Sequence, residues 1–357
     1  MADLTVGGKY RLEEEIANGG CGSVFLGVHT IAGKEVAIKL EPALPHPHTL
    51  TSPLRQESKV YKSLMGGPGV PWIMYSGKQG DYNVMVIDLL GPSLEDLFKM
   101  CNRCFSLGTV LLLADQLISR LAFIHSRSYI HRDVKPANFV IGQPSSPSAS
   151  VVSIIDFGLA RRFKDARTGE HVPWRRDAYG ANRHGVGTSL FASLGAQWGE
   201  ETSRRDDLES LAYMLIYFAR GTLPWRKIKG RTIGETWESI DEFQSLEVEI
   251  TLPCIPLTAS LPPEFTSLLA YALSLRFTDL PDYEGLRSMF RELGRRVGVQ
   301  YADEVERDEG GNIMDGSASP TEFDWVRKGR KGTVRTGRVR VCEACKAAAL
   351  GGKMQWR

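Results

Sequence analysis

The sequence predicts an α+β protein with two lobes: a small antiparallel sheet with one main helix, followed by a larger, mostly helical part. Short runs rich in β-branched residues, separated by glycine turns, fill residues 10–41, whereas apolar residues at helical spacing dominate from Ser93 onward. The chain has 357 residues, of which 42% are hydrophobic and 24% charged, so it can bury a core. This composition excludes collagen-like, disulfide-scaffold and wholly disordered proteins.

The first lobe is predicted to be a strand meander, because its strands follow one another without long crossovers. The predicted strands contain, in order, KYRLEEEI, VFLGVHT and EVAIKLE. Residues 54–65 have apolar positions at helical spacing, and residues 83–89 form a short apolar run typical of a buried strand. We place this lobe at about residues 8–88.

The second lobe is predicted to be mostly helical, over about residues 89–300, which completes one domain at 8–300. Its helical patterns are SLEDLFKM, TVLLLADQLISRLAFIHSR, DDLESLAYMLIYFAR and PPEFTSLLAYALSL. Residues 301–322 are acidic, bear Gly and Ser and have few apolar residues, which indicates a flexible insertion. Residues 323–357 form a basic C-terminal tail.

Charge is uneven along the chain. Residues 326–357 hold ten basic residues against one acidic residue, a net of +9, so the other 325 residues carry −7 of the total of +2. A total this small indicates neither nucleic acid nor a membrane as a partner, and only the basic tail leaves a nucleic-acid role open. We expect a monomer.

Cysteine usage and apolar stretches predict the compartment. The six cysteines are too few and too scattered for a disulfide framework. The N-terminal residues lack the apolar stretch of a signal peptide, and no uninterrupted apolar run approaches the ~18 residues of a membrane span. We therefore expect the cytoplasm or the nucleus, and no membrane.

A glycine-rich turn at residues 17–24 lies between two predicted strands, where glycines let backbone N–H groups approach phosphates. Alone, this turn is equally typical of an ordinary hairpin. About fifteen residues later Lys39 interrupts an apolar strand, and a charge there requires a partner. Glu57, on the following helix, is a candidate for that partner, although a solvated helix face is the simpler interpretation when Glu57 is considered alone.

The most specific segment is the string IHRDVKPAN at residues 130–138, followed by Asp156-Phe157-Gly158 at the end of an apolar strand. Each piece is short, but together with the glycine-rich turn and Lys39 they occur in the order of a protein kinase signature. Phosphoryl transfer needs a base, metal ligands and a lysine that positions the phosphates, and little covalent chemistry beyond these.

The signature predicts the roles of the site residues, with ATP and Mg²⁺ as cofactors. Asp133 accepts the proton of the incoming hydroxyl, and Asn138 and Asp156 hold Mg²⁺. Lys39, oriented by Glu57, contacts the α- and β-phosphates. Two glycines, Gly19 and Gly22, cover the triphosphate, and Lys135 reaches the γ-phosphate; a lysine there is typical of Ser/Thr kinases.

Adenine needs apolar walls and a backbone hinge. The residues predicted to form the walls are Ile16, Val24, Ala37, Ile87, Val140 and Ile155, and the predicted hinge is Asp88-Leu89-Leu90. Plain core packing is the alternative interpretation of these residues, and it is compatible with the pocket. Asp207, at the start of a long apolar helix, is predicted to brace the His131-Arg132 backbone.

Several strings resemble one kinase family, the casein kinase I family. They are GDYNVMVIDLLGPSLEDLF, LLLADQLISR, IHRDVKPANF, IIDFGLA, DART and SRRDDLES. The resemblance covers about residues 8–300 and then FDW at 323–325. It implies a bilobal Ser/Thr kinase that phosphorylates protein substrates in acidic or phosphate-primed contexts and does not need activation-loop phosphorylation.

This sequence departs from the family pattern at three places. Ala17 stands at the first glycine of the glycine-rich loop, and Leu190 stands where the family has an arginine that helps to bind a priming phosphate. Residues 302–322 separate two segments that are nearly adjacent in relatives. These departures support an alternative function, a pseudokinase scaffold that binds nucleotide or partners without turnover, whereas the complete set of motif residues favours the enzyme.

Two other features of the sequence, a set of basic residues and two cysteine pairs, each have a simpler interpretation as well as a functional one. Basic residues flank the expected substrate groove and predict recognition of acidic or phosphorylated residues, with a solvated rim as the alternative. They are Arg161, Arg162, Lys164, Arg167, Arg175, Arg176, Lys227, Lys229 and Arg231. The pairs Cys101/Cys104 and Cys342/Cys345 have zinc-ligand spacing, but about 240 residues separate them, so we predict no zinc site.

Overall fold

The protein is described from a computed structural model. It describes residues 5–19, 22–43, 52–143, 146, 148–176, 185–249, 256–304 and 319–330. These residues form two compact units, the first from the described parts of 1–96 and 139–158, the second from those of 97–138 and 159–335. The predicted α+β fold, with an antiparallel sheet in the N-terminal region and helices in the C-terminal region, is confirmed. The basic tail from residue 331 and Cys342/Cys345 lie outside the described residues.

The first unit is built on a six-stranded antiparallel sheet in the order β1-β2-β3-β4-β6-β5. The strands are β1 (Thr5–Val6), β2 (Tyr10–Gly19), β3 (Gly22–His29), β4 (Glu35–Pro42), β5 (Ile73–Gln79) and β6 (Tyr82–Asp88). The predicted meander and the predicted strand at 83–89 are therefore present. Val36 and Ile38 of β4 pack in the core with Val84 and Val86 of β6. Because side chains alternate along a strand, Ala37 and Lys39 lie on the opposite face.

One helix, α1 (Pro53–Leu64), packs on β5 and β6, close to the predicted range. It begins where Ser52 caps it, since the Ser52 hydroxyl accepts from the Arg55 N–H at 3.2 Å and Pro53 occupies the first turn. The buried Glu41 carboxylate accepts from the Ser52 hydroxyl and from the Leu54 N–H. The start of α1 is thus fixed to β4.

A hairpin of β8 (Phe139–Ile141) and β9 (Val152–Ile154) also belongs to the first unit. The Ile154 N–H donates to the Gly69 carbonyl at 2.8 Å, and the Gly91 N–H donates to the Ile141 carbonyl at 2.8 Å. These hydrogen bonds explain why the first unit takes in residues that the sequence analysis assigned to the second lobe.

The second unit is mostly helical. Its helices are α2 (Leu94–Met100, which begins in the first unit), α3 (Leu107–Ser126), α4 (Leu194–Gln197), α5 (Arg204–Arg220), α6 (Ile233–Glu249), α7 (Pro263–Ser274), α8 (Tyr283–Arg296) and α9 (Asp324–Arg330). A short pair of strands, β7 (Tyr129–Ile130) and β10 (Arg161–Arg162), accompanies them. Helices α3 and α5 are buried along most of their length and form the centre of the core.

Helix α3 is long and apolar enough, by length and composition alone, to cross a membrane. The sequence analysis found no uninterrupted apolar run, because Asp115 and Arg120 divide this segment. Most of the apolar stretch is buried inside the second unit, where α3 packs on α5 and α8, so the helix is weak evidence for a span.

The predicted insertion and tail are described only in part. Asp303 and Glu304, at the start of the insertion, pair with Arg291 of α8 at 2.8 and 3.4 Å, and residues 305–318 lie outside the described residues. The chain then returns to the start of α3. There the Asp324 carboxylate accepts from the Ser106 N–H at 2.6 Å, and Trp325 lies 5.5 Å from the Phe105 ring.

Candidate active site

The predicted catalytic loop follows β7 in the second unit and ends in a short 3-10 turn, Pro136–Asn138. Arg132 adopts φ +70°, which few residues other than glycine favour, and His131 is completely buried. The His131 ring accepts the Asp133 N–H at 3.3 Å. The buried His131 ring and its contact with the Asp133 N–H thus support the uncommon backbone conformation of this loop.

Asp207 braces this loop, as predicted. Its carboxylate accepts from the backbone N–H groups of His131 at 2.7 Å and Arg132 at 2.8 Å, and the His125 ring nitrogen Nε2 lies 2.8 Å away. Burial raises the pKa of Asp207, but the hydrogen bonds and the charges of the two histidines outweigh it, so the pKa is lowered below its usual value. The side chain is therefore a firmly ionised acceptor. Asp207 lies in the first turn of α5, and a capping box formed by Ser203 and Asp206 fixes the start of this helix.

The structure brings the three predicted catalytic side chains together. The Asp133 carboxylate lies 2.7 Å from the Lys135 ammonium, and its second oxygen accepts from the Thr188 hydroxyl at 2.8 Å. Asn138 donates to the Asp133 carbonyl at 2.8 Å and to its carboxylate at 3.1 Å. Since its amide nitrogen makes these bonds, the amide oxygen of Asn138 is the atom available to a metal ion.

Thr188 was not predicted as a site residue. Its hydroxyl accepts from the Lys135 ammonium at 2.9 Å and donates to Asp133. Gly187 makes this possible, because it adopts φ +93° and a Cβ there would lie 2.5 Å from the Arg132 carbonyl oxygen. No local pattern in the sequence shows that the Thr188 hydroxyl reaches Asp133.

The segment from Ala192 to Gly195 is anchored on α5. Ser193 donates to Asp206 at 2.7 Å, and the Leu194 N–H donates to Glu209 at 2.9 Å. Burial, together with the charge of Asp206, raises the pKa of Glu209 to about 8. Two buried acidic side chains of α5, Asp206 and Glu209, thus anchor this segment.

The first unit carries the predicted Lys39–Glu57 pair. The Lys39 ammonium lies 2.8 Å from the Glu57 carboxylate and 3.4 Å from the Asp156 carboxylate. Burial raises the pKa of Glu57 to about 7, because the nearby ammonium offsets only part of the lost hydration and Asp156 adds repulsion. The Lys39 ammonium therefore lies close to two carboxylates, of which that of Asp156 is the more exposed.

Asp156 is oriented by its backbone. It adopts φ +62°, and its N–H donates at 3.1 Å to the hydroxyl of Tyr61, a fully buried residue of α1. The Phe157 ring packs edge-on against Tyr61 with ring centres 4.9 Å apart. Tyr61 was also missed from the sequence. Its position four residues after Glu57, on the same helix face, is the signal that could have found it.

The glycine-rich turn connects β2 and β3, with Gly19 opposite Gly22 in the register. Gly22 adopts φ +111°, and a Cβ there would lie 2.3 Å from the Leu40 carbonyl oxygen, so only glycine fits. Ala17 lies opposite Val24, directly after a shift in the β2–β3 register between Glu15 and Ala17. The alanine at the first glycine position thus lies next to an irregularity of β2 and is still paired with β3.

The sheet places three of the six predicted adenine-wall residues on one face. Val24 lies opposite Lys39, and Ile87 lies opposite Ala37. Directly opposed residues share a face, so these four side chains lie on the same face of the sheet. Ile16 and Ile155 are half-buried, and Val140 is buried on β8.

The predicted hinge lines a cavity of about 360 Å³ within the first unit. Asp88 and Leu90 are half-buried there, and Lys34 pairs with the Asp88 carboxylate at 2.8 Å. The same carboxylate accepts from the Trp72 N–H at 2.8 Å. The Asp88 carboxylate thus contacts both Lys34 and the Trp72 backbone at the wall of the cavity.

Two of the predicted basic rim residues share one acid. Arg161 lies 2.8 Å and Arg175 2.9 Å from the two carboxylate oxygens of Glu201, which is nearly fully buried. Leu190 is half-buried, and its carbonyl accepts from the Trp225 ring N–H at 2.8 Å. The backbone at Leu190 is thus fixed although its side chain carries no charge.

A buried aspartate held by a lysine, an asparagine and a hydroxyl, and in the other unit a lysine held by two carboxylates, are the parts of a phosphotransferase. The family model of the protein kinase domain matches residues 10–279, which is most of the chain. The chain therefore belongs to the protein kinase family.

Protein kinase domains generally use ATP and Mg²⁺, and the residues present fit these groups. Mg²⁺ is typically held by one or two carboxylates and by substrate phosphates, and the Asp156 carboxylate and the Asn138 amide oxygen are hard ligands of this kind. Among the described residues, no three His, Cys, Asp or Glu side chains form a metal cluster. Of the pairs considered for zinc, the described one consists of a buried Cys101 and an exposed Cys104, both free.

Proposed function

We propose that this protein is an active Ser/Thr protein kinase, similar to the casein kinase I family, that transfers the γ-phosphoryl group of ATP to hydroxyls in acidic contexts. The observation that carries the proposal is the contact of Asp133 with both Lys135 and Thr188. A lysine two residues after the base is the pattern of Ser/Thr kinases, and here its ammonium lies 2.7 Å from that base.

In the proposed reaction the substrate oxygen forms a bond to the γ-phosphorus, the bond to the β–γ bridging oxygen breaks, and ADP leaves. Asp133 takes the proton of the hydroxyl. Lys135 offsets the negative charge on the transferred group. Lys39 positions the phosphates, and Asp156 and Asn138 would hold Mg²⁺, which supplies further charge neutralisation when bound.

The basic rim supports a preference for acidic substrates. Arg161 and Arg175 carry two positive charges against the single charge of Glu201, so this cluster keeps a net charge of about +1 toward acidic residues. Leu190 cannot donate charge-assisted hydrogen bonds, so we propose a weaker preference for phosphate-primed peptides than relatives with arginine show.

A pseudokinase scaffold is the second candidate, and Ala17 and Leu190 are the observations that favour it. Against it, Lys39, Glu57, Asp133, Asn138 and Asp156 are all present, and their contacts are those that phosphoryl transfer needs. Ala17 adds only a methyl group relative to glycine, and it keeps its pairing with Val24 of β3. We further propose a monomer in the cytoplasm or the nucleus, which sedimentation and cell fractionation test.

The deciding experiment is an ATP assay on an acidic serine peptide, with threonine and tyrosine versions and with Asp133→Asn as the matched control. We expect transfer to serine and threonine, a loss of about 10²–10⁴-fold in turnover for Asp133→Asn, and nearly unchanged nucleotide affinity. Turnover in the parent that equals the Asp133→Asn background, with nucleotide still bound, would establish the scaffold instead.

A further inference from the structure

A second cavity lies in the first unit, away from the Lys39–Glu57 face, between α1 and the β5–β6 hairpin. Its volume is about 390 Å³. Its lining holds four cationic side chains and no acidic one: Arg55, Lys59, Lys62 and Lys78. Asn83, which also lines the cavity, donates its amide N–H to the Glu41 carboxylate at 3.4 Å, and Glu41 itself is not part of the lining.

The cations of this cavity are unpaired within the part of the chain that the structure describes, where none of the four forms a salt bridge. Lys62 is held at the wall, because its ammonium donates to the Ser76 hydroxyl at 2.6 Å. Four like charges in one cavity repel one another, and an anion would relieve that repulsion. Residues 1–325 carry a net charge of −7, so this positive cluster is a local exception in an acidic body.

The shape of the cavity favours an extended peptide. β5 forms one edge of the sheet, and no described strand pairs with its outer side. An edge strand offers backbone N–H and C=O groups to an added segment. Buried Leu54 and Val84 give the cavity an apolar floor beside its cations, so it can take a phosphate together with an apolar neighbouring residue.

We propose that this cavity, lined by Arg55, Lys59, Lys62 and Lys78, binds a phosphoserine or phosphothreonine segment of a partner protein. The inference goes beyond the proposed catalytic function, since no residue of the cavity takes part in phosphoryl transfer. A phosphate with adjacent acidic residues matches four cations in charge, and the hydroxyl of Ser76 adds a polar contact.

Binding at this cavity bears on the Lys39–Glu57 pair through α1. Glu57 and Tyr61 lie on one side of this helix, and their neighbours Ser58 and Lys62 line the cavity. A segment that bridges α1 and β5 holds the helix against the sheet. The bound peptide therefore also holds Glu57 in position.

The test measures peptide binding to the full chain carrying Asp133→Asn, without ATP, so that its outcome is independent of catalysis. The probes are a twelve-residue acidic peptide with one phosphoserine, the same peptide with serine, and inositol hexakisphosphate. We expect the phosphorylated peptide to bind about tenfold or more tightly than the serine peptide, and Lys59→Gln/Lys62→Gln to weaken it about tenfold or more. Lys9→Gln, an exposed lysine of the same unit outside the cavity, is the control and is expected to bind as the parent does.

Hydrogen exchange supplies a second readout. We expect the amides of α1 to exchange more slowly with the phosphopeptide bound, in the parent background but not in Lys59→Gln/Lys62→Gln. Equal affinity for both peptides, or parent-like affinity in the double variant, would overturn the proposal. Binding of inositol hexakisphosphate without binding of the phosphopeptide would also overturn it, in favour of a soluble polyphosphate or lipid-headgroup site.

Discussion

The two units each contain one almost fully buried carboxylate next to the proposed chemistry, and the two carboxylates differ in charge. Asp207 accepts two backbone N–H groups of the catalytic loop and contacts the His125 ring, and its pKa is lowered. Glu57 has one ammonium beside it, shared with Asp156, and its pKa rises to about 7. The number of donors, rather than the depth of burial, decides which carboxylate stays ionised.

The largest expected effect comes from removing Asp207, the carboxylate that has more hydrogen-bond donors. Asp207→Ala leaves two backbone N–H groups without their acceptor in the interior, and we expect a loss of about 3–5 kcal/mol in the free energy of unfolding. Urea denaturation measures it, with the exposed Glu284→Ala on α8 as the control, expected to change stability by less than about 0.5 kcal/mol. A loss below about 1 kcal/mol for Asp207→Ala would show that the brace is dispensable.

The second effect concerns pH. In the folded chain Glu57 stays protonated up to about pH 7, whereas in the unfolded chain it ionises near its ordinary pKa of 4.5. Unfolding therefore releases a proton in this window, and the contribution of Glu57 to stability falls as pH rises from about 4.5 to 7, by about 3 kcal/mol at most. Glu57→Gln cannot ionise, so it lacks this contribution.

Urea denaturation of the parent and Glu57→Gln at pH 4.5 and pH 7.5 measures the difference. We expect the parent to lose more stability than the variant over this interval. Parallel pH profiles of the two proteins would mean that the Lys39 ammonium keeps Glu57 ionised throughout, and the contrast with Asp207 would disappear.

A smaller effect is expected at Thr188, which positions the base. Thr188→Ala removes one hydrogen bond to Asp133 and one from Lys135, and we expect turnover to fall about tenfold with an unchanged KM for ATP. Thr188→Ser keeps the hydroxyl and should restore most of the activity. Failure of serine to rescue would indicate that the methyl group, and hence packing, is what matters at this position.

The smallest effect is expected at Leu190, where the proposed resemblance to the casein kinase I family would place an arginine. Leu190→Arg adds a partly solvated cation worth about 1 kcal/mol toward phosphate, so we expect about a fivefold rise in preference for a phosphate-primed peptide over its unprimed twin. The measurement is kcat/KM on the matched pair. An unchanged ratio would show that Leu190 does not set substrate choice.

Local sequence patterns predicted the strands and helices that bury one of their faces. The alternation in β4 and the helical spacing of α1 gave both elements within a residue or two, and the pairing of Lys39 with Glu57 followed from a lone charge on a buried strand. Asp207 was found because its motif fixes it at the start of α5. The catalytic and cofactor roles of these residues stay predictions.

Contacts between distant segments were not predictable in the same way. Tyr61 has the spacing of a core residue, and nothing in its neighbours shows that its hydroxyl meets the Asp156 N–H. The cationic cavity combines a helix with a hairpin more than ten residues away, so its charge cluster exists only in the folded chain. A sequence pattern indicates which side chains of a segment are buried, but it does not indicate which polar groups they contact in the folded chain.

The return of the chain to the start of α3 decides where a shortened protein should end. The matched kinase domain stops at residue 279, and a fragment cut near residue 300 looks complete by that measure. Such a fragment loses Asp324, the acceptor of the Ser106 N–H and hydroxyl, and uncovers the Phe105 ring that Trp325 contacts. Recombinant fragments of this kinase should therefore extend through α9, to residue 330, if the principal helix of the second unit is to keep its first turn.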